Sequence, residues 1–88
     1  MNAQQRNILR VTLLLVARSA PLGLTMDFAP VALRARSILA ESQEIKDEVA
    51  YLVDKGLLVP VSKKVSPELK AWRITAEGRD FLAEEGHE

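Results

Sequence analysis

The sequence predicts one small α+β domain that is mainly α-helical and carries a small antiparallel β wing. Apolar residues recur at helical spacing before Gly56, and strand-like alternation follows it. A helical pattern returns at Ala76, directly after the strand-like Trp72-Arg73-Ile74. The 88 residues are 48% apolar and 27% charged, which is typical of a single globular domain. We expect that domain to span residues 1–88.

The composition also argues against several classes of protein. No run of 18 uncharged apolar residues occurs, so an ordinary transmembrane helix is not expected. Arg10 interrupts the apolar stretch 8–17, and no small-residue cleavage site follows it, which argues against a signal peptide. The chain has no cysteine and therefore no disulfide framework. We expect a cytoplasmic protein.

The net charge of zero hides blocks of alternating sign. Residues 1–40 carry a balance of +4, residues 41–55 carry −3, residues 56–75 carry +3, and the rest of the chain carries −4. Blocks of this kind can become distinct faces of a fold.

The first helix is predicted over residues 1–19, and it is apolar on more than one side. A helix on a protein surface needs an apolar stripe of only about 100°. We therefore expect a second buried contact, most simply with another copy of the chain. The residues assigned to this homodimer interface are Ile8, Val11, Leu14 and Leu15. The alternative is a central helix that the rest of its own chain surrounds.

Two further helices are predicted over residues 27–55. Asp27 stands where an N-cap would, with Pro30 in the first turn of a helix that ends near residue 36. A turn follows in residues 37–41. Ser42 is the predicted N-cap of the third helix.

The third helix is expected to end at Lys55, with Gly56 as the residue that follows its C-cap. One face of this helix is apolar and predicted to be buried. Its members are Ile45, Val49, Leu52 and Val53.

A hairpin is predicted over residues 57–75, with a polar tip at 63–70. Pro60 cannot donate a ladder hydrogen bond, so the first strand of the hairpin should be an edge strand. Thr75 should cap a last helix over residues 76–85.

Two phrases, YLVDKGLLVPV (residues 51–61) and WRITAEGRDFL (residues 72–82), resemble the winged helix-turn-helix family, in particular regulators of the MarR, ArsR and PadR kind. The order helix, strand, helix, helix, strand, strand, helix is also that of this family. Small proteins of Mu-like prophages are similar along much of this length, an association that implies no established activity.

The resemblance implies a transcriptional regulator that binds double-stranded DNA. In this family the third helix enters the major groove, and the wing contacts the backbone or minor groove. Carried over to this chain, the residues of the reading helix are Ser42, Gln43, Lys46 and Asp47. The residues assigned to the DNA backbone are Lys63, Lys64, Lys70, Arg73, Arg34 and Arg36.

The charge of the third helix argues against this function. At 100° per residue, its outward face holds Gln43, Asp47, Ala50 and Asp54, and Tyr51 lies on one flank. Two aspartates are unfavourable on a face that meets phosphates. The alternative is a winged-helix protein–protein interaction or assembly module that does not bind DNA.

Catalysis has almost no support in the sequence, and we expect no enzyme, no cofactor and no metal site. The single histidine, His87, lies near the chain end. The carboxylates Asp47, Glu48 and Asp54 are expected to be solvated on the helix surface, without a base as partner.

The wing assignment predicts a uniform loss of DNA affinity. Replacing Lys63 and Lys64 together by alanine should weaken binding to all sequences, because two phosphate contacts are lost. The slope of the logarithm of the binding constant against that of salt concentration should fall by about two. Fluorescence anisotropy at several salt concentrations measures this slope. Unchanged binding at every salt concentration would show that the wing assignment is wrong.

Overall fold

The computed structural model describes residues 2–20, 23–61 and 71–87, and over these ranges it contains four helices and a three-stranded antiparallel sheet. The elements in chain order are α1 (Ala3–Ser19), β1 (Leu24–Thr25), α2 (Ala29–Ala35), α3 (Ser42–Asp54), β2 (Leu58–Pro60), β3 (Ala71–Ile74) and α4 (Ala76–Glu84). The α+β class and the order of the elements are those that the sequence predicts. The predicted hairpin tip, residues 63–70, lies outside the described residues.

Helix α1 begins at a capping box, in which the side chains of Asn2 and Gln5 each accept the other residue's backbone N–H. Its second half lies in the middle of the core, in contact with α2, α3, α4, β1 and β3. Leu13 and Leu14 are fully buried there. Such a helix must be apolar around its circumference, because other elements of the same chain cover it from several sides.

The start of α2 differs from the prediction. Asp27 is not its N-cap but lies in a turn, and Phe28 occupies the N-cap position without a side-chain cap. The Thr25 hydroxyl instead accepts the Phe28 N–H at 3.1 Å. Pro30 does lie in the first turn, as predicted.

The turn between α2 and α3 closes as a Schellman motif. The N–H of Ile38 donates to the Leu33 carbonyl at 2.9 Å, and the N–H of Ser37 donates to the Arg34 carbonyl at 3.0 Å. Ser37 takes the left-handed conformation, with φ of 60°, which glycine usually supplies at this position. The chain therefore leaves α2 abruptly, and residues 38–41 run without regular structure to α3.

The N-cap of α3 is Glu41 rather than the predicted Ser42. The Glu44 carboxylate accepts the Glu41 N–H at 2.9 Å, as in a capping box. Ser42 is the first helical residue. The other end agrees with the prediction, because Gly56 follows the C-cap Lys55 with φ of 76°.

The sheet has the order β1-β3-β2, so β3 is central and β2 is an edge strand. Pro60 faces Trp72 on that edge, where no further strand needs its missing N–H. The prediction for Pro60 is confirmed. Leu58 of β2 and Ile74 of β3 are paired in register, and their side chains are buried in the core.

Thr75 joins three elements through one hydroxyl. Its Oγ1 accepts the Gly78 N–H at 3.0 Å and so caps α4, as predicted. The same oxygen donates to the Gly56 carbonyl at 2.6 Å, just beyond the end of α3. The hydroxyl thus links the end of α3, the end of β3 and the start of α4.

Removing this hydroxyl should destabilise the fold. We expect Thr75→Ala to lower the free energy of unfolding by about 1–2 kcal/mol, the usual effect of losing an N-cap side chain. Thr75→Ser is the matched control, because it keeps the oxygen and should change the free energy by less than about 0.5 kcal/mol. Urea denaturation followed by circular dichroism measures both. Equal stability of the alanine and serine variants would contradict this role.

Candidate nucleic-acid interface

The outward face of α3 is open to solvent over its whole length. The exposed side chains on this face are Gln43, Lys46, Asp47, Ala50 and Asp54. The opposite face is buried through Ile45, Val49 and Leu52, as the helical spacing predicts. Ser42 is also exposed, in the first turn. The structure therefore brings the four predicted reading residues together at one end of an exposed helix face.

Two of these side chains are hydrogen-bonded to each other. The Gln43 Nε2 donates to Asp47 Oδ1 at 2.8 Å, one helical turn away. Several groups of this pair remain available to another molecule. The second carboxylate oxygen of Asp47 and the amide oxygen of Gln43 can accept hydrogen bonds, and the second amide hydrogen of Gln43 can be donated. This is a polar surface that can read a base edge or a protein backbone.

The expectation that Glu48 is solvated is wrong. The side chain of Glu48 is 8% exposed, and its Oε1 lies 2.7 Å from Nε of Arg10 on α1. The Arg10 side chain is itself largely buried, at 20% exposure. Because a carboxylate and a guanidinium neutralise each other here, α3 is joined to α1 by a charge-assisted hydrogen bond.

The sequence holds a signal for this pair. Arg10 is the single charge within the apolar stretch 8–17, and Glu48 falls between Ile45 and Leu52 on the apolar face of α3. A lone charge on each of two apolar faces indicates that they pair with each other, because a buried charge is very unfavourable without a partner.

Tyr51 packs on Arg10 at the surface of α3. The guanidinium carbon of Arg10 lies 4.5 Å from the centre of the tyrosine ring, and the Lys55 ammonium lies 5.6 Å from it. Both distances fit a cation–π contact. The ring is 39% exposed, so Tyr51 packs on cations and still presents part of its surface.

An open cleft of about 410 Å³ lies beside this cluster, between α1 and α3. Side chains of both charge signs line it together with Leu9 and Tyr51. They are Arg6, Arg10, Glu44, Asp47 and Glu48. Among them Arg10 and Glu48 already neutralise each other, so the cleft offers no concentrated charge for a small ionic ligand.

Two other acids lie at the start of α3. Glu41 is its N-cap and Glu44 lies in its first turn, where the positive end of the helix dipole favours negative charge. With Glu48 neutralised by Arg10, Asp47 and Asp54 are the acids of this block that stand on the outward face. The outward face of α3 therefore carries the two aspartates that the sequence places there.

The structure describes three of the six cationic residues that the sequence assigns to the DNA backbone. Arg34 and Arg36 are exposed at the end of α2, and Arg73 is exposed on the central strand β3. Arg36 also reaches back to the Ala32 carbonyl, with a donor–acceptor distance of 3.4 Å. Lys63, Lys64 and Lys70 lie outside the described residues.

The four residues assigned to a homodimer interface do not share one surface. Val11 and Leu14 are buried in the core of their own chain, and Leu15 is partly buried. Because packing inside the chain already covers Val11 and Leu14, they do not form an outer face, and that part of the assignment is wrong. Ile8 is 46% exposed and can contact a partner.

Neither a metal site nor a membrane-spanning helix is found in the described part of the chain. Within residues 2–20, 23–61 and 71–87, no three histidine, aspartate or glutamate side chains are arranged to hold a metal ion. None of the helices in these ranges is long and apolar enough to cross a bilayer.

Comparisons of the chain with protein-family models, with curated protein sequences and with solved structures found no match.

The Arg10–Glu48 pair predicts an asymmetric response to substitution. Glu48→Ala should lower the free energy of unfolding by about 3 kcal/mol, because it leaves the Arg10 guanidinium in a mostly buried site without its partner. The double replacement Arg10→Met with Glu48→Leu should recover most of that loss, since apolar side chains can fill the same space. Chemical denaturation of the parent, of Arg10→Met, of Glu48→Leu and of the double variant gives the coupling free energy.

Asp47→Ala is the matched control on the same helix. It removes an exposed carboxylate and should change the free energy by less than about 0.5 kcal/mol. A Glu48→Ala variant that is as stable as the control would show that the pair does not hold α3 against α1.

Proposed function

We propose that this chain is a small winged-helix protein that binds double-stranded DNA as a transcriptional regulator. The observation that carries the proposal is the outward face of α3, an exposed row of polar side chains on a helix whose other face is buried. A helix that reads a major groove must present such a face and must be held rigidly behind it. The Arg10–Glu48 pair supplies part of that rigidity.

The topology supports the same assignment. A short strand β1, the helices α2 and α3 joined by a tight turn, and a sheet with β3 in the centre follow the order of the winged-helix fold. In that fold the hairpin of β2 and β3 is the wing, which lies beside the reading helix. Three residues, Lys55 to Leu57, separate α3 from β2, so β2 begins directly after the end of α3.

The proposed contacts divide into two kinds. Ser42, Gln43, Lys46 and Asp47 would face base edges, and a glutamine can bond adenine while an aspartate can accept from cytosine N4. The cations Arg34, Arg36 and Arg73, with the three wing lysines, would neutralise phosphates on both sides of α3. Affinity would then come from the flanking cations and sequence preference from the helix.

A second candidate function is a protein–protein interaction or assembly module. Several large apolar side chains are exposed on the surface. Isolated exposed apolar residues are common in proteins, but a cluster of them is unusual. The exposed ones include Ile8, Phe28, Val31 and Leu39. Ile8 and Leu39 line the same hollow, and this pair favours a contact with protein, either in place of DNA or together with it.

A paired arginine replacement tests the DNA-binding proposal. Arg36→Ala combined with Arg73→Ala should weaken binding to a labelled random-sequence duplex, and the salt slope should fall by about two, because two phosphate contacts are removed. Anisotropy titrations at several salt concentrations measure both quantities.

The matched control is Arg18→Ala combined with Arg79→Ala. It makes the same change in net charge at α1 and α4, at residues that are not assigned to the DNA interface, and should leave the slope close to that of the parent. If both double variants lose affinity equally, the binding depends on net charge rather than on this face, and the proposed interface is wrong.

A further inference from the structure

We propose that a second copy of this chain docks on the turn between α2 and α3, with Leu39 as the central contact. The observation behind this inference is the exposure of Leu39, whose side chain is 82% accessible in an otherwise well-packed domain. Turns are normally polar, yet residues 38–40 of this one are Ile-Leu-Ala. The inference does not depend on DNA binding.

The backbone holds Leu39 in this exposed position. The Schellman motif at the end of α2 places Ser37 in the left-handed conformation and fixes Ile38 by its hydrogen bond to Leu33. Ile38 is partly buried against the core, whereas the next side chain, that of Leu39, is exposed to solvent. The exposure of Leu39 follows from a defined turn.

Leu39 lies between two hollows in the surface. One has a volume of about 370 Å³ and is lined by Gln5 and Ile8 of α1 together with Glu44 and the turn. The other, of about 320 Å³, lies on the side of Pro30 and Arg34. Leu39 and Ile38 contribute to both hollows. A single patch thus presents a projecting apolar side chain and the spaces that could receive one.

This combination favours a second copy over a different partner. In a two-fold symmetric contact the same patch meets itself, so it must offer both a projection and a recess. The leucine of each copy would enter a hollow beside the leucine of the other copy. Its neighbours Ile8 and Ile38 would complete an apolar centre.

The patch carries charges of both signs, because Arg34, Glu41 and Glu44 all line the hollow on the side of Pro30. In a two-fold contact the arginine of one copy can face a carboxylate of the other copy. The zero net charge of the chain adds no overall repulsion between copies.

The exposed beginning of α1 is continuous with this surface. Residues 2–8 are all exposed, so the first two turns of the helix extend beyond the core of their own chain. Gln5 and Ile8 of this segment line the same hollow as Leu39. The homodimer interface predicted on the first helix is thereby relocated. It includes the exposed start of α1 and the adjoining turn, and not the buried middle of the helix.

Sedimentation velocity over a concentration series of the full chain tests the proposal, with no DNA present. We expect the parent to approach the mass of a dimer as its concentration rises through the micromolar range. Leu39→Asp should weaken dimerisation at least tenfold, because it removes the projecting apolar side chain and places a carboxylate beside Glu44, which lines both hollows. Val59→Asp is the matched control, since Val59 is also a large exposed apolar residue, at 47%, but lies on β2 beyond the far end of α3.

A cysteine pair gives a second readout that does not depend on destabilising the contact. The chain has no native cysteine, so Leu39→Cys introduces a single thiol. In the proposed dimer the two thiols lie side by side, and a short bis-maleimide should link them much faster than it links the Val59→Cys control. A parent that remains monomeric at 100 µM (a test concentration), or equal cross-linking of both cysteine variants, would overturn the proposal. The DNA titrations above change Arg36 and Arg73, which line neither hollow, so the two proposals can fail separately.

Discussion

The burial of α1 on several sides is the constraint on which the rest of this fold depends. A chain of 88 residues buries a smaller fraction of its surface than a larger domain does. In this fold three other helices and two strands pack against the same central helix, α1. Each of those elements can then be short and need cover only one side of α1. The arrangement also explains why α1 is apolar around its circumference without requiring a partner along its whole length.

The placement of α3 follows from α1. Its apolar face packs into the shared core, and the Arg10–Glu48 pair adds a directional bond at one edge of that contact. Hydrophobic packing alone tolerates small rotations of a helix, whereas a hydrogen bond of 2.7 Å between two mostly buried groups fixes the rotation more narrowly. The outward face of α3 is therefore presented in one orientation, which is what any recognition surface needs.

The accuracy of the sequence predictions depends on whether the deciding interaction is local. Periodicity, Gly56 and Thr75 define elements through contacts within one or two turns, and the structure agrees with them. The starts of α2 and α3 are harder to predict, because more than one polar residue lies near each of them. The sequence assigns the capping roles to Asp27 and Ser42, whereas Thr25 and Glu41 fulfil them. Glu48 and Leu14 were misplaced because their surroundings come from distant parts of the chain. The wing lysines lie outside the described residues, so their roles remain predictions.

If this chain binds DNA as proposed, α3 meets the duplex through its outward face while the domain keeps its structure. Amide chemical shifts of the ¹⁵N-labelled chain, recorded during titration with a random-sequence duplex at low salt, test this residue by residue. We expect salt-sensitive shifts at Gln43, Lys46 and Asp47 and at the arginines that flank them, with small changes along α4. The absence of any shift at low salt, or shifts confined to α4, would contradict DNA binding through α3 and would leave this helix as a surface for protein contacts.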